Sequence, residues 1–568
     1  MHVKHAANET KEQTKWNAVN WRQANRNVRN LRQRIFKAER KGDHRKVKSL
    51  QKLMLRSYAN TLVSVRRVTQ INAGKSTPGV DKVVIKTPEV RGKLVDELHS
   101  YRPWQAASTR RVYIPKSNGK LRPLGIPTVN DRVMQARVKN ALEPQWEARF
   151  ESISFGFRPG RSAHDAISSI FLLANPKGRK KWILDADIKG AFDNIGHEPL
   201  LESIGKTPGH GLIRQWLKAG YVDDGIKHET PAGTPQGGII SPLLANIALH
   251  GMEEALGVLR KKNTGTIKGH RAVVRYADDF VVFCESREDT ERAKDELSEW
   301  LKERGLELSE EKTQIVHISE GFDFLGFNVR QYKMPGSKRG CKLHIKPSKA
   351  STQKIRDKLK KEWRSMRGTH AGIVITRLNP IVRGWTNYFR IGVSAKTFNK
   401  LDHWMSTRAY RWTKFRHPNK SWRWVKDKYW GRLNKKREDN WVFGDKQTGG
   451  YLLKFGWTKI ERHTLVRGKA SPDDASLNRY WEERRRKAHT LSPTRLKMAR
   501  TQQWKCPVCG GHLLNGEDLQ DHHMILNREN RDREDLKNRR LVHYFCHRQI
   551  HGGNSALPSV VKELLREG

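Results

Sequence analysis

Between about residue 110 and residue 330, short apolar runs alternate with stretches of helical periodicity. RRVYIPK, KWILDADI, AVVRY, FVVF and FLGFNV are rich in β-branched and aromatic residues and read as strands. SREDTERAKDELSEWLKERG reads as a helix: Ser286 can cap it, acids crowd its first turn, Leu297 and Leu301 share a face, and Gly305 ends it. The interleaving predicts an α+β fold. Ahead of it, residues 1 to about 75 read as basic helices with a patchy apolar stripe, Leu31, Ile35, Leu50, Leu53 and Leu55, until STPGVDK from Ser76 breaks the pattern. Behind it, PGSKRGCK, Pro335 to Lys342, reads as a linker. Residues 350 to about 440 then turn helical, basic and rich in tryptophan, at positions 363, 385, 404, 412, 422, 424, 430 and 441. Interleaved Trp and Arg can stack on bases and pair phosphates, or the indoles can simply be core. A polar, charged segment from about 445 to 500 leads to a compact group of cysteines and histidines, and no internal repeat is visible.

Charge sharpens the picture. The 568 residues carry 111 Lys and Arg against 59 Asp and Glu, a formal net charge of +52, spread over the whole length. Such a chain repels itself and needs a polyanion, and its even spread points to a large folded nucleic acid met on several surfaces. The opening MHVKHAANETKEQTK has no apolar core of a secretory signal, and the longest uncharged run, Gly233 to Gly251, contains Pro, Gln, Ser and Asn. A soluble intracellular protein without a membrane span is therefore expected. Cys284 and Cys341 are scattered, whereas Cys506, Cys509 and Cys546 cluster with metal-like spacing.

In AVVRYADDFVVF two apolar runs meet at Asp278 and Asp279, which would sit at the tip of a tight hairpin. An isolated pair of this kind is often an ordinary Asp-rich turn. Neighbouring carboxylates nevertheless repel and resist desolvation, and a folded site keeps them most readily around a cation. KWILDADIKGAFDNI supplies a third: alternation places Ile183, Asp185 and Asp187 on one face. If that strand lies beside the hairpin, Asp187 and Asp278 can hold two Mg²⁺ ions, the arrangement that nucleotidyl transfer from a triphosphate requires. RRVYIPKSNGKLRPLGIP offers Lys116 and Arg122 beside a Gly turn as cations for the triphosphate, and TPQGGIISPLLANIAL offers Gln236, opening a helix, as a clamp for the incoming nucleotide.

The ordered series from about 105 to 330 resembles the seven blocks of a reverse transcriptase. FGFRPGRSAHDAI with TPQGGIISPLLANI resembles the group II intron-encoded branch, and LNPIVRGWTNYFR, Leu378 to Arg390, resembles that family's thumb, the maturase or X domain. The resemblance implies that Asp187, Asp278 and Asp279 form the catalytic triad, with Asp187 and Asp278 the main metal ligands. It makes Phe192 the aromatic gate against a ribose 2′-hydroxyl and places Lys312, in GLELSEEKT, near the triphosphate. Asp185 and Asp193 match no catalytic role.

At the C-terminus, KCPVCGGHL and LVHYFCHRQIH provide Cys506, Cys509, His543 and Cys546, two pairs of one spacing that suit a closed tetrahedral Zn²⁺ site. Asp521-His522-His523, Asn538, His547 and His551 resemble an HNH nuclease of the ββα-metal kind. By that resemblance His522, His547 and His551 hold a divalent ion, His523 is the general base and Asn538 orients the base's loop. His543 replaces a commoner cysteine. The alternative register, with Asp521 as ligand and His522 as base, fits the family's spacing less well.

The resemblances together imply an α+β multidomain chain of right-hand polymerase design. Residues 1–90 would be a basic helical extension of the fingers, 91–340 fingers and palm, 345–445 an α-helical thumb, 446–500 a DNA-binding linker region, and 501–560 a small ββα-metal HNH module with structural zinc. The implied function joins RNA-directed DNA polymerase, splicing cofactor and DNA endonuclease in target-primed reverse transcription and retrohoming. Its partners would be the group II intron RNA, a double-stranded DNA target and dNTPs, with Mg²⁺ at the polymerase and HNH sites. A bacterial cytoplasmic, nucleoid-associated ribonucleoprotein is the expected setting, or an organelle. A maturase acting only as a splicing scaffold is disfavoured by the intact YADD and complete HNH set. A host-defence reverse transcriptase is disfavoured by thumb and HNH motifs occurring together.

Overall fold

The computed structural model describes residues 13–100, 103–115, 119–260, 267–336, 340–487, 491–524 and 535–551. Its N-terminal layer consists of helices Trp21–Arg40, His44–Arg56 and Tyr58–Arg66, packed on the long helix Val129–Arg149. Spacing explains the packing. Trp21, Ala24, Val28, Leu31 and Ile35 fall three and four apart and are buried, while Arg26, Arg29, Arg34 and Lys37 face outward. Asn20, Asp43 and Ser57 cap the three helices in turn. Leu53, expected in the stripe, is 49% exposed. The second helix buries Val47, Leu50, Gln51 and Met54 instead, because a 3.6-residue repeat centred on that face rotates Leu53 outward.

The central sheet has four antiparallel strands in the order Gln314–His317, Trp182–Asp187, Asp279–Cys284, Ala272–Tyr276. Ile183, Leu184, Val273, Val274 and Phe280 to Phe283 are buried in it. Helix Arg287–Lys302 covers it through Leu297 and Leu301, capped by Ser286 and stopped by Gly305 at φ 71°. A separate hairpin pairs Thr109–Pro115 with Leu121–Ile126 and takes Tyr221–Asp223 as a parallel neighbour.

Three expectations need correction. FLGFNV is not one strand: Leu325 and Gly326, at φ 48° and 81°, turn the chain between Phe322–Phe324 and Phe327–Lys333. PGSKRGCK is not a domain linker, since Lys333 pairs with Cys341 and the stretch joins two paired strands, Phe327–Lys333 and Cys341–Pro347. Ser348 then caps helix Lys349–Ser365 at once, so the helical region follows the sheet without a spacer. The segment from 446 to 487 is likewise packed rather than free. Asp473 pairs with Arg32 at 2.7 Å, Arg161 donates to the Gly468 carbonyl at 2.7 Å, Arg484 holds Asp165 at 2.5 Å, and Trp481 is buried.

The helical region comprises Lys349–Ser365, Ala371–Phe389, Ala395–Arg416 and Trp422–Tyr429. Its tryptophans divide: Trp363, Trp412 and Trp430 are core, packed around Phe443, Trp385 and Trp404 are half-buried, and Trp422, Trp424 and Trp441 are exposed. At the C-terminus, strands Leu519–His523 and Arg539–His543 pair antiparallel and run straight into helix Tyr544–His551, a ββα unit. No helix among the described residues is long and apolar enough to cross a membrane.

Candidate active site and metal centre

The central sheet brings the three aspartates together. Asp187 ends its strand directly opposite Asp279, and Tyr276 pairs with Asp279 from the other side. The hairpin turn is therefore Ala277 and Asp278, with Asp279 already the first residue of the returning strand rather than at the tip. Ala277 is held at φ 60°, a conformation that glycine prefers. Burial, a hydrogen bond shared with Asp187 and the charge of Asp278 push the Asp279 carboxyl up to about 7. Burial and Asp187 also raise Asp278, which Arg122 and Lys312 partly offset. Lys312 lies with Nζ 2.5 Å from Asp187 Oδ2, and that contact raises its own pKa. Its loop is tied down by the Ser309 amide, which donates to the Asp187 carbonyl at 2.8 Å.

Three carboxylates thus converge with too little positive charge, in an all-oxygen donor set that suits a hard cation such as Mg²⁺. Asp185 stands apart. Gln314 on the neighbouring strand donates to it at 3.1 Å, and burial pushes it up to about 6. Phe192 is half-buried and meets Phe157 edge-to-face at 6.0 Å between centroids. Gln236 donates to Asp193 at 3.2 Å, and Thr234 donates to the Phe192 carbonyl at 2.7 Å, so this loop and the Phe192 turn form one unit. Gln236 does not open the helix as expected; that helix is Ser241–Ala248, and Gln236 sits in the turn before it. Lys116 lies outside the described residues.

Several supporting residues escaped the sequence reading. Residues Ile153 to Phe155 run beside Ala272–Tyr276: Phe155 N donates to the Arg275 carbonyl at 2.9 Å and Arg275 N to that of Ile153 at 3.1 Å. Gly156 then lies directly on the Ala277 backbone. Asn246 donates to the Gly156 carbonyl at 2.9 Å and accepts from the buried Arg275 guanidinium at 3.2 Å, which also reaches the Ala277 carbonyl at 3.3 Å. One Asn in the apolar run LLANIA and one Arg in AVVRY were the available signals.

In the ββα unit, Cys506, Cys509, His543 and Cys546 are all buried, with ligand atoms within 4.8 Å of one another. Burial raises the Cys506 thiol, but hydrogen bonds from Cys509 and Cys546 outweigh it and hold it well below the usual thiol range. Three sulfurs and one imidazole nitrogen are a donor set that fits Zn²⁺. His522, His547 and His551 form a second cluster, with ring centroids 4.5 to 5.4 Å apart. Burial and the two neighbouring rings lower His522 to about 4, leaving it a neutral donor. Asp521 is engaged elsewhere, by Arg495 at 2.8 Å and Arg539 at 2.5 Å. His523, next along the strand, is outside the cluster, and its Nε2 is buried with no hydrogen-bond partner among the described residues. Asn538 accepts on its carbonyl from Met524 N at 2.9 Å, tying the end of the first strand to the start of the second.

A sheet that brings three carboxylates together is what a nucleic-acid polymerase requires for its metal ions. Residues 114–329 match the reverse transcriptase (RNA-dependent DNA polymerase) family, 16–98 its N-terminal domain, and 352–430 the group II intron maturase-specific domain. Protein YkfC of Escherichia coli (strain K12) is 35% identical over 314 residues, covering 49% of this chain and 82% of that protein. Group II intron-encoded protein LtrA of Lactococcus lactis subsp. cremoris is 31% identical over 423 residues, 60% of this chain and 69% of that one. The chain belongs to the family of group II intron-encoded reverse transcriptases with a maturase domain. Among solved structures, telomerase from Candida tropicalis aligns at a TM-score of 0.30 with 16% identity, over 39% of this chain and 53% of that one.

Proposed function

We propose that this protein combines RNA-directed DNA polymerase, splicing cofactor and site-directed HNH endonuclease, and acts in target-primed reverse transcription and retrohoming of its intron. In the palm, Asp187 and Asp278 would hold Mg²⁺, with Asp279 completing the triad. When bound, Mg²⁺ supplies positive charge to the attacking 3′-oxygen and the leaving pyrophosphate. Arg122 and Lys116 neutralise the triphosphate, Lys312 holds Asp187 and faces the same charge, Phe192 limits the space at C2′, and Gln236 braces the nucleotide pocket through Asp193. The maturase-type helices and exposed tryptophans face the intron RNA.

The nuclease reading rests on one observation: on a ββα unit stapled by a Cys₃His set, His522, His547 and His551 converge while Asp521 is tied up in ion pairs. That favours His522 as a ligand and leaves His523 to take the proton from water, with Asn538 fixing its strand end. A divalent ion held by the three imidazoles would stabilise the leaving 3′-oxygen. The test is a nicking assay on labelled double-stranded target, with primer extension measured beside it. His523→Ala is expected to stop second-strand nicking and leave RNA-templated extension on a supplied primer intact. Cys509→Ser is expected to release zinc and expose residues beyond about 500 to protease while extension continues. Wild-type nicking by His523→Ala would return the base to the Asp521-His522 register.

A further inference from the structure

The Cys₃His centre is not enclosed by its own module alone. Arg66, from helix Tyr58–Arg66 of the N-terminal layer, is buried, and its Nη2 lies 3.3 Å from Cys546 Sγ and 3.3 Å from Glu517 Oε2. Its guanidinium also sits 4.6 Å from the centre of the Trp21 ring. Arg22, on the first helix of that layer, Trp21–Arg40, donates to the carbonyl of Pro507, inside the Cys506–Cys509 knuckle, at 3.1 Å. Around these contacts the layer and the module share one apolar core, in which Trp21, Leu62 and Val65 join Trp504, Val508 and Leu541.

Charge gives the arrangement its logic. A divalent ion with three thiolates and a neutral imidazole carries a net charge of −1, and Glu517 adds another. Arg66 and Arg22 supply two positive charges from the other side of the interface. A buried arginine whose anionic partner is removed is strongly unfavourable, as is a buried anionic centre without its cation. Metal loading and docking therefore stabilise each other.

Building on the zinc reading above, we propose that Arg66 is an outer member of the Cys506–Cys509–His543–Cys546 centre: a positioning residue by which metal binding in the C-terminal module fixes that module to the polymerase's N-terminal layer. Its guanidinium donates to the Cys546 sulfur, lowers the electron density on that thiolate and is itself aimed by Glu517. Loss of the metal would then release the nuclease from the fingers as well as unfolding it locally.

The test uses the full-length chain loaded with Zn²⁺ or Co²⁺. Outer partners of metal ligands are typically worth about 10- to 100-fold in affinity, so Arg66→Met is expected to hasten zinc transfer to a competing chromophoric chelator by about tenfold or more. In the cobalt form, loss of the hydrogen bond to Cys546 is expected to move the thiolate-to-metal charge-transfer band to lower energy, a change that loosened packing alone would not cause. Limited proteolysis should then separate the C-terminal module, while primer extension on an RNA template is unchanged. Arg66→Lys, which keeps the charge but loses the planar fork, should fall between wild type and Arg66→Met. Glu517→Gln leaves the layer's packing in place and should shift both metal readouts in the same direction. If wild type binds neither zinc nor cobalt, the zinc reading itself fails. If wild type is loaded and Arg66→Met matches it in release rate and spectrum, the role of Arg66 alone is overturned.

Discussion

Gly156→Ala should cripple polymerisation without touching any carboxylate. A methyl group at this position would sit 2.9 Å from both Ala277 Cβ and the Tyr276 carbonyl carbon, and nearer still to Ala277 N, where ordinary contact begins near 3.4 Å. The neighbours cannot yield cheaply. They are backbone atoms and a Cβ fixed to that backbone, Ala277 is already at φ 60°, and Gly156 is held from behind by Asn246 at 2.9 Å. The YADD turn must therefore withdraw by at least about half an ångström, carrying Asp278 away from Asp187. Misplacement of reacting groups by about 1 Å can cost about 100-fold, so a fall in kcat of roughly 10- to 100-fold is expected. Overpacking should lower stability by about 1–3 kcal/mol, which leaves the protein folded at assay temperature. Single-nucleotide extension of a DNA primer on an RNA template measures the rate, with Asp278→Ala as the floor and thermal melting as the control for folding. Asn246→Ala, which frees Gly156 and deprives Arg275 of a partner, should push in the same direction by a smaller factor. A folded Gly156→Ala enzyme that extends at the wild-type rate would refute the claim that this glycine sets the position of the metal-binding turn.

The raised Asp279 predicts a pH dependence of metal-free stability. Its folded pKa, about 7, lies above the ordinary carboxylate value, so the folded chain keeps a proton that the unfolded chain has lost, and stability falls as pH rises from about 4 to about 7. Melting curves in chelator should show that loss flattened in Asp279→Asn, and an unchanged pH profile in that variant would locate the effect elsewhere. Phe192→Ala should relax discrimination between deoxyribo- and ribonucleotides by opening space at C2′, measured as the ratio of kcat/KM values; an unchanged ratio removes Phe192 from the gate. Affinity for the intron RNA should drop by about 10³-fold or more between 50 and 200 mM salt through release of condensed counterions, and a nearly flat titration would contradict phosphate-dominated binding.

The legible part of the site was local. YADD announces itself because two strand-forming runs flank adjacent acids, and alternation alone put Asp187 on a definite face; the pairing of Asp187 with Asp279 then follows from strand order. What stayed hidden is held together through space. Gly156 touches Ala277, and Asn246 joins Gly156 to Arg275, across separations that no window of sequence spans. Composition also misled where one signature serves two structures. Gly and Ser in PGSKRGCK suit a hairpin connection as well as a linker, and the polar segment after 445 is polar because its charges meet Arg32, Asp165 and each other. The Leu50–Leu53–Leu55 run had too few apolar positions to fix its rotation, and Met54, between Leu53 and Leu55, is buried with Val47 and Leu50 instead.

The net charge of +52 overstates what the protein presents to a polyanion. Arg132, Arg137, Arg158, Arg161 and Arg275 are buried. Arg132 donates to the carbonyls of Gly74 and Thr77, Arg137 to those of Leu55 and Leu98, and Arg161 to those of Ser152 and Gly468. Arg158 pairs with Glu147 at 2.9 Å. These guanidiniums serve as multi-donor staples, satisfying carbonyls in loops and, for Arg137, in the last turns of two helices. Lysine could not replace them, because a compact ammonium does not span two carbonyls in a fixed plane. The region around the central sheet can therefore carry long connections. The lysines and outward arginines, such as Arg26, Arg29 and Arg34 on the first helix, remain for phosphate. A scan of basic residues to alanine consequently separates into two classes by mechanism: loss of a staple lowers stability and leaves the salt slope of RNA binding unchanged, whereas loss of an outward cation lowers the slope and leaves stability alone.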